Sequence, residues 1–310
     1  MTTIEIPDRD LQIQVPSDWS EMTPDQRSFC LNRAIMLSDG QIEFGSFLVE
    51  CFYKLTDLQR SVTSIIKERI AGHDALAEKN RNLRIYAEAI VAPIFGIEDP
   101  EQQFEIKYEC VTPPVLDFSL RKGLQRKQFI APGSLLQNCS FGEVRAAILA
   151  QNLFFESKDE KHLDRLVACL YRPKRKDLKS LQESEDFDGH QKEQFNRDRI
   201  LYLATWTTKI TSWKKMAVLM WFSFCISAIQ SEDLTINGRE INLSHLFPKA
   251  DPDHPPKPDK SAAGWDGILN AIAKKQVFGS AQQVDQIDFF EILLFMYDED
   301  AEIQRLKPKN

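Results

Sequence analysis

Glycine is scarce in this chain, 12 of 310 residues, which counts against glycine-rich loops that cradle phosphates. The signatures G-x-G-x-x-G, G-x-x-x-x-G-K-[ST], G-x-S-x-G and H-E-x-x-H are all missing. No apolar run is long enough to cross a bilayer. The longest, Met216–Ile229, has 14 residues, whereas a span takes roughly 20. Paired cysteines are also lacking. Cys30, Cys51, Cys110, Cys139, Cys169 and Cys225 lie far apart, never as C-x-x-C, and mostly among apolar neighbours. They read as small buried hydrophobes in a reducing compartment. The histidines, His73, His162, His190, His245 and His254, show no zinc-ligand spacing. Cations are in deficit: 39 Lys and Arg against 46 Asp and Glu give a net charge of −7. That argues against bulk binding to nucleic acid or an anionic membrane, while leaving a local basic patch open. The opening MTTIEIPDRD has neither the basic nor the apolar segment of a signal peptide.

What is present is helical patterning. Hydrophobic residues make up 43% and charged residues 27%, ordinary for a globular protein, and the length suggests about two domains or one large one. Ile4, Ile6, Leu11, Ile13 and Val15 alternate with polar residues and predict a hairpin. Thr23–Gln26 is a capping box opening a helix, and a second helix carries Phe44, Phe47, Leu48, Cys51, Phe52 and Leu55 on one stripe. Thr56–Gln59 reads as another capping box, followed by helix to Ala92 with a break at Gly72. Phe104, Ile106, Tyr108 and Cys110 alternate as a strand, and Leu116, Phe118 and Leu120 do so again. Both are expected to join the N-terminal strands in one sheet. Ser140–Glu143 caps a helix with Phe141, Val144, Ile148 and Phe155 as its apolar stripe, and a second helix runs to Pro173. Helices near 193–205 and 211–229 follow, the latter apolar on nearly every face. Asn237-Gly238 marks a hairpin, and helices are expected over 263–277 and 280–306, the last opened by the box Ser280–Gln283. The expected fold is mainly α with a small antiparallel β element. Its parts are an N-terminal α+β part over 1–172, a polar linker over 173–192 and a C-terminal helical part over 193–310.

Candidate chemistry is sparse. Glu105 and Lys107 on the expected strand match the E-x-K of metal-dependent nucleases. The upstream acid such a site needs is not obvious, since Asp99 and Asp8 both sit in loop-like segments. Asp298, Glu299, Asp300 and Glu302 form an acidic cluster, read as a solvated helix end because consecutive carboxylates spread around a helix. Arg172, Lys174, Arg175, Lys176 and Lys179 form a basic run with only Tyr171 as an aromatic neighbour, so a nucleic-acid surface is not expected there. His245 reads as a structural histidine, and His190 and His254 as solvated. Trp206, Trp213, Trp221 and Trp265, with Phe222, Phe224, Phe289, Phe290 and Phe295, crowd the C-terminal half. Any that stay at the surface favour protein contact.

The order of PSDWSEMTPDQ (16–26), CSFGEVRAAILAQNLFFESKDEKHLDRLVACLYRP (139–173), FNRDRI (195–200), the Trp221-Phe222 helix and the closing stretch 264–293 resembles uncharacterised α-rich proteins of tailed-phage and prophage tail gene clusters, some of them similar to tail assembly chaperones. The resemblance implies a non-enzymatic protein acting by protein–protein contact in the host cytoplasm. Its partner would be helical, such as a tape-measure protein, or a further copy of itself. No catalytic residue, cofactor or metal ligand is expected. The alternatives are a structural virion component (connector or ring subunit), a nuclease centred on Glu105 and Lys107, and a nucleic-acid-binding adaptor using Arg172–Lys179.

Overall fold

A computed structural model describes residues 1–6, 11–58, 73–97, 108–184, 187, 189–247 and 264–306. They gather into two compact units, Met1–Cys110 and Val111–Asn310, each mainly helical with small antiparallel sheets.

In the first unit, β1 (Thr2–Ile6) and β2 (Leu11–Val15) form the expected hairpin, with Ile4 opposite Ile13. Helix α1 (Pro24–Ser38) opens with the Thr23–Gln26 box and buries Cys30, Leu31, Ala34 and Ile35. Helix α2 (Phe44–Thr56) buries the stripe Phe47, Leu48, Cys51, Phe52 and Leu55. Helix α3 (His73–Ile94) carries Pro93 in its last turn. The centre is aromatic: Trp19 sits edge-on to Phe95 at 4.8 Å and to Tyr108 at 5.0 Å, and Phe47 lies 4.9 Å from Phe95. Two expectations change here. Thr56 closes α2, its hydroxyl donating back to the Phe52 carbonyl (2.8 Å) and Asp57 being left-handed at φ 52°, while Gln59 and the helix expected from there to Gly72 lie outside the described residues. Tyr108–Cys110 are not strand, while Phe104 and Ile106 lie outside the described residues.

In the second unit, β3 (Phe118–Lys122) and β4 (Gln125–Ile130) form a hairpin joined by the two-residue strand β5 (Arg172–Pro173). The expected single sheet with the N-terminal strands is therefore replaced by separate sheets. Helix α4 (Phe141–Ser157) opens with the Ser140–Glu143 box and turns at Lys158 (φ 57°) into α5 (Lys161–Leu170). A short α6 (Leu178–Gln182) precedes α7 (Ile200–Thr207) and α8 (Ser212–Ser231). As its composition predicts, α8 is central, with Trp221, Phe222 and Cys225 fully buried. β6 (Asp233–Ile236) and β7 (Arg239–Asn242) pair around Asn237-Gly238, both at positive φ as a type I′ turn requires. Helices α9 (Gly264–Lys275), α10 (Ala281–Val284) and α11 (Phe289–Leu306) complete the unit.

The long terminal helix expected over 280–306 is broken, and the cause is distant in sequence. Ser140 bridges Asp288. The Ile287 and Asp285 carbonyls accept from the Phe141 and Gly142 amides (2.8 and 3.0 Å), and Cys139 accepts from the Phe289 amide (2.9 Å). The exposed donors of the first turn of α4 are thereby satisfied by a strand-like segment. The helix expected over 193–205 starts late, at Ile200, because Asn196 is extended and its side chain caps the turn at Arg197–Arg199.

The stretch 173–192 is not a linker, and the division between units falls at 110/111 instead. Lys174 bridges Lys192, the Glu193 amide donates to Pro173 (2.8 Å), and Lys192 is buried. Gly142 is where these parts converge. A β-carbon there would stand 2.6 Å from the Phe195 ring and 2.9 Å from Asp285. Alanine normally favours a helix interior over glycine by about 1 kcal/mol, but overpacking costs about 1–3 kcal/mol. Gly142→Ala is therefore expected to lower the urea midpoint at unchanged slope.

Candidate functional site

Glu143, at the third position of α4, has 4% of its side chain exposed. One oxygen, Oε2, accepts from the Ser140 amide (2.9 Å) and from Lys192 Nζ (3.1 Å). The other faces Arg172 Nε at 3.7 Å, with Arg172 fully buried. The Arg172 guanidinium lies 5.5 Å over the Phe195 ring and donates to the Gln194 carbonyl, while its Nη1 has no hydrogen-bond partner among the described residues. One buried carboxylate thus faces two buried cations. Burial lowers the Arg172 pKa. Burial also pushes Lys192 down, but Cys139 (Sγ 3.7 Å away) and Glu143 outweigh it and hold the ammonium above its ordinary range. An amine used as a base or Schiff-base nucleophile needs the opposite shift. The neighbouring cleft of about 240 Å³, lined by Ser140, Glu143, His190, Lys192, Glu193 and Gln286, therefore holds a clamped cation.

Among the described residues, those singled out in the sequence do not converge. Glu105 and Lys107 lie outside the described residues. The acidic cluster disperses onto separate partners: Asp298 on Arg239 (2.8 Å), Glu299 on Lys275, and Asp300 on His245 (3.4 Å). His245 has structural partners, as expected, in Asp300 and the edge-on Tyr297 ring, with 42% of its side chain exposed. The basic run divides, with Arg172 buried, Arg175 near Asp177 (3.7 Å), and Lys174, Lys176 and Lys179 exposed. His254 lies outside the described residues. His162 is buried, and desolvation lowers its pKa. All six cysteines are free and buried, and burial pushes Cys139 and Cys169 up to about 12. Among the described residues no group of His, Cys, Asp or Glu is placed to hold a metal ion, and no helix is long and apolar enough to cross a membrane.

A different feature emerges between α4, α5 and α7, a groove of about 430 Å³. Leu149 and Leu153 of α4 and Leu201 of α7 line it; Leu149 is 49% and Leu201 60% exposed. Arg145, Arg165, Arg197 and Asp198 also line it. Arg145 is committed to Asp266 and Asp285, its Nη2 lying 2.9 Å from Asp285. Arg165 and Arg197 have no ion-pair partner among the described residues. The expected stripe of α4 ends differently too. Phe141, Val144 and Ile148 are buried, but Phe154 takes the next inward place and Phe155 is 48% exposed. Leu149 lies off the inward stripe, and that off-stripe leucine is the signal that reveals the groove.

No protein-family model matches the chain, and no curated protein and no solved structure is significantly similar to it.

Two outcomes follow. Glu143→Gln keeps a cap for Ser140 but leaves two buried cations facing each other, and is expected to cost about 3 kcal/mol in a denaturant titration. Iodoacetamide at neutral pH is expected to label none of the six cysteines in the native protein and all six in guanidinium, since all six are buried and the Cys139 and Cys169 thiols, raised to about 12, have almost no thiolate.

Proposed function

We propose that the protein works without catalysis, by holding a helical protein partner in the α4–α5–α7 groove, and that its setting is tail assembly of a tailed phage or prophage in the host cytoplasm. The observation that supports this is the groove itself. Leucines remain exposed along a groove of about 430 Å³, and two arginines at it have no ion-pair partner among the described residues. An amphipathic helix places apolar anchors at i, i+3 or i+4, and i+7 along one stripe, which suits leucine-lined grooves. Acidic residues flanking that stripe would answer Arg165 and Arg197, whose charge otherwise serves nothing local. A tape-measure protein, long and helical, is the kind of client a tail chaperone shields before the tube forms around it.

The test is light scattering after size exclusion, with the protein co-expressed with the products of its neighbouring genes. A complex with a helical product is expected, and L149E together with L201E should dissolve it while leaving the melting temperature within a degree or two, because both side chains face solvent. A monomer that binds none of those products sinks the reading. Stoichiometric protein in purified particles would make it a structural virion component instead.

A further inference from the structure

The groove on α4, α5 and α7 carries unanswered charge of both signs. Besides Arg165 and Arg197, Asp198 lines it, and its carboxylate has no ion-pair partner among the described residues. Glu156 follows Leu149 and Leu153 along one stripe of α4, exposed and likewise without an ion-pair partner among the described residues. The arginines on either side are committed, Arg145 to Asp266 and Asp285, and Arg199 to Glu193 at 3.1 Å. Two cations and two anions therefore stand unused around Leu149, Leu153 and Leu201. The groove also has a raised edge. Leu201 projects from the α7 wall, 60% exposed, with Asp198 one turn before it, and Leu149 stands on the facing α4 wall.

We infer that a second copy of the chain covers this groove, through a two-fold contact in which α7 of each copy lies on α4 of the other. An axis running along the groove exchanges its two walls. Leu201 of one copy then packs on Leu149 and Leu153 of the other. Asp198 meets Arg165 of the other copy, and Glu156 meets its Arg197. Charge decides the occupant. A client helix with acidic flanks answers the two arginines alone, whereas a second copy answers all four groups. A patch that holds both signs in equal number is complementary to itself, as a two-fold contact requires, and every contact in it occurs twice. The cover also takes the leucines out of water while no client is bound. Its displacement when a client enters rests on the reading of the groove as a client site.

The experiment is light scattering after size exclusion on the full chain alone, over about a hundredfold range of concentration. The mass is expected to rise to that of two copies and no further. R165E and D198R, each made singly, set like charges against each other at both symmetric contacts and should weaken the dimer by about a hundredfold or more. Mixed in equal amounts, the two variants should dimerise again, because the two reversed charges then meet each other and the native pair forms as before. Neither side chain is buried, so melting temperatures should stay near that of the unmodified chain. The dimer is overturned if the unmodified chain is monomeric throughout, or if either variant alone dimerises as well as it does. It is equally overturned if the mixture stays monomeric, or if the mass keeps growing, as in a head-to-tail contact that does not close. A monomer that still binds a helical product of a neighbouring gene overturns the dimer and leaves the client reading standing. A dimer that binds no such product does the reverse.

Discussion

Glu143 sits where three stretches of the second unit meet, and with only a few per cent of its side chain exposed it has no water to fall back on. Its carboxylate caps α4, answers Arg172 from β5 and answers Lys192 from what reads as a polar loop. Desolvating one anion and two cations is expensive, and their mutual attraction offsets it only when geometry is held closely. The neighbouring structure supplies that geometry. The Lys174–Lys192 bridge fixes one cation, strand pairing fixes the other, and Phe195 packs against both Arg172 and the backbone of Gly142. Such a cluster restrains where each strand and loop sits more than it adds to net stability.

The same arrangement sets the protonation of its members. A lysine clamped by a carboxylate keeps its proton, and thiols sealed in apolar surroundings keep theirs. The outward features have the reverse character. The leucine groove leaves Arg165 and Arg197 without an ion-pair partner among the described residues, at modest cost to the free protein.

Features governed by neighbours within a few residues were legible in the sequence. The boxes at Thr23–Gln26, Ser140–Glu143 and Ser280–Gln283 all form, and Asn237-Gly238 turns its hairpin as its backbone preferences require. Thr56–Gln59 has the same signature, yet the apolar stripe of α2 runs through Leu55, so Thr56 belongs to the end of that helix. Features settled by distant residues were not legible. Lys192 lies in a run of polar residues, and only a carboxylate 49 positions earlier explains its burial. The candidate surfaces were partly legible. Leu149 lies off the inward stripe of α4, a sign in the sequence of an apolar residue left outside. The leucine groove needed the packing of α4 against α5 and α7.

The bridge between Ser140 and Asp288 spans nearly half the chain. During synthesis, the opening turn of α4 emerges long before the segment that receives its amide hydrogens has been made. Those donors must be served by water until Asp285–Asp288 arrives, so the second unit can close only late in translation or after release. Loop closure over such a separation is entropically slow, and the leucines of α4 stay accessible meanwhile. Helpers that bind nascent chains therefore have a defined window in which to act on this fold.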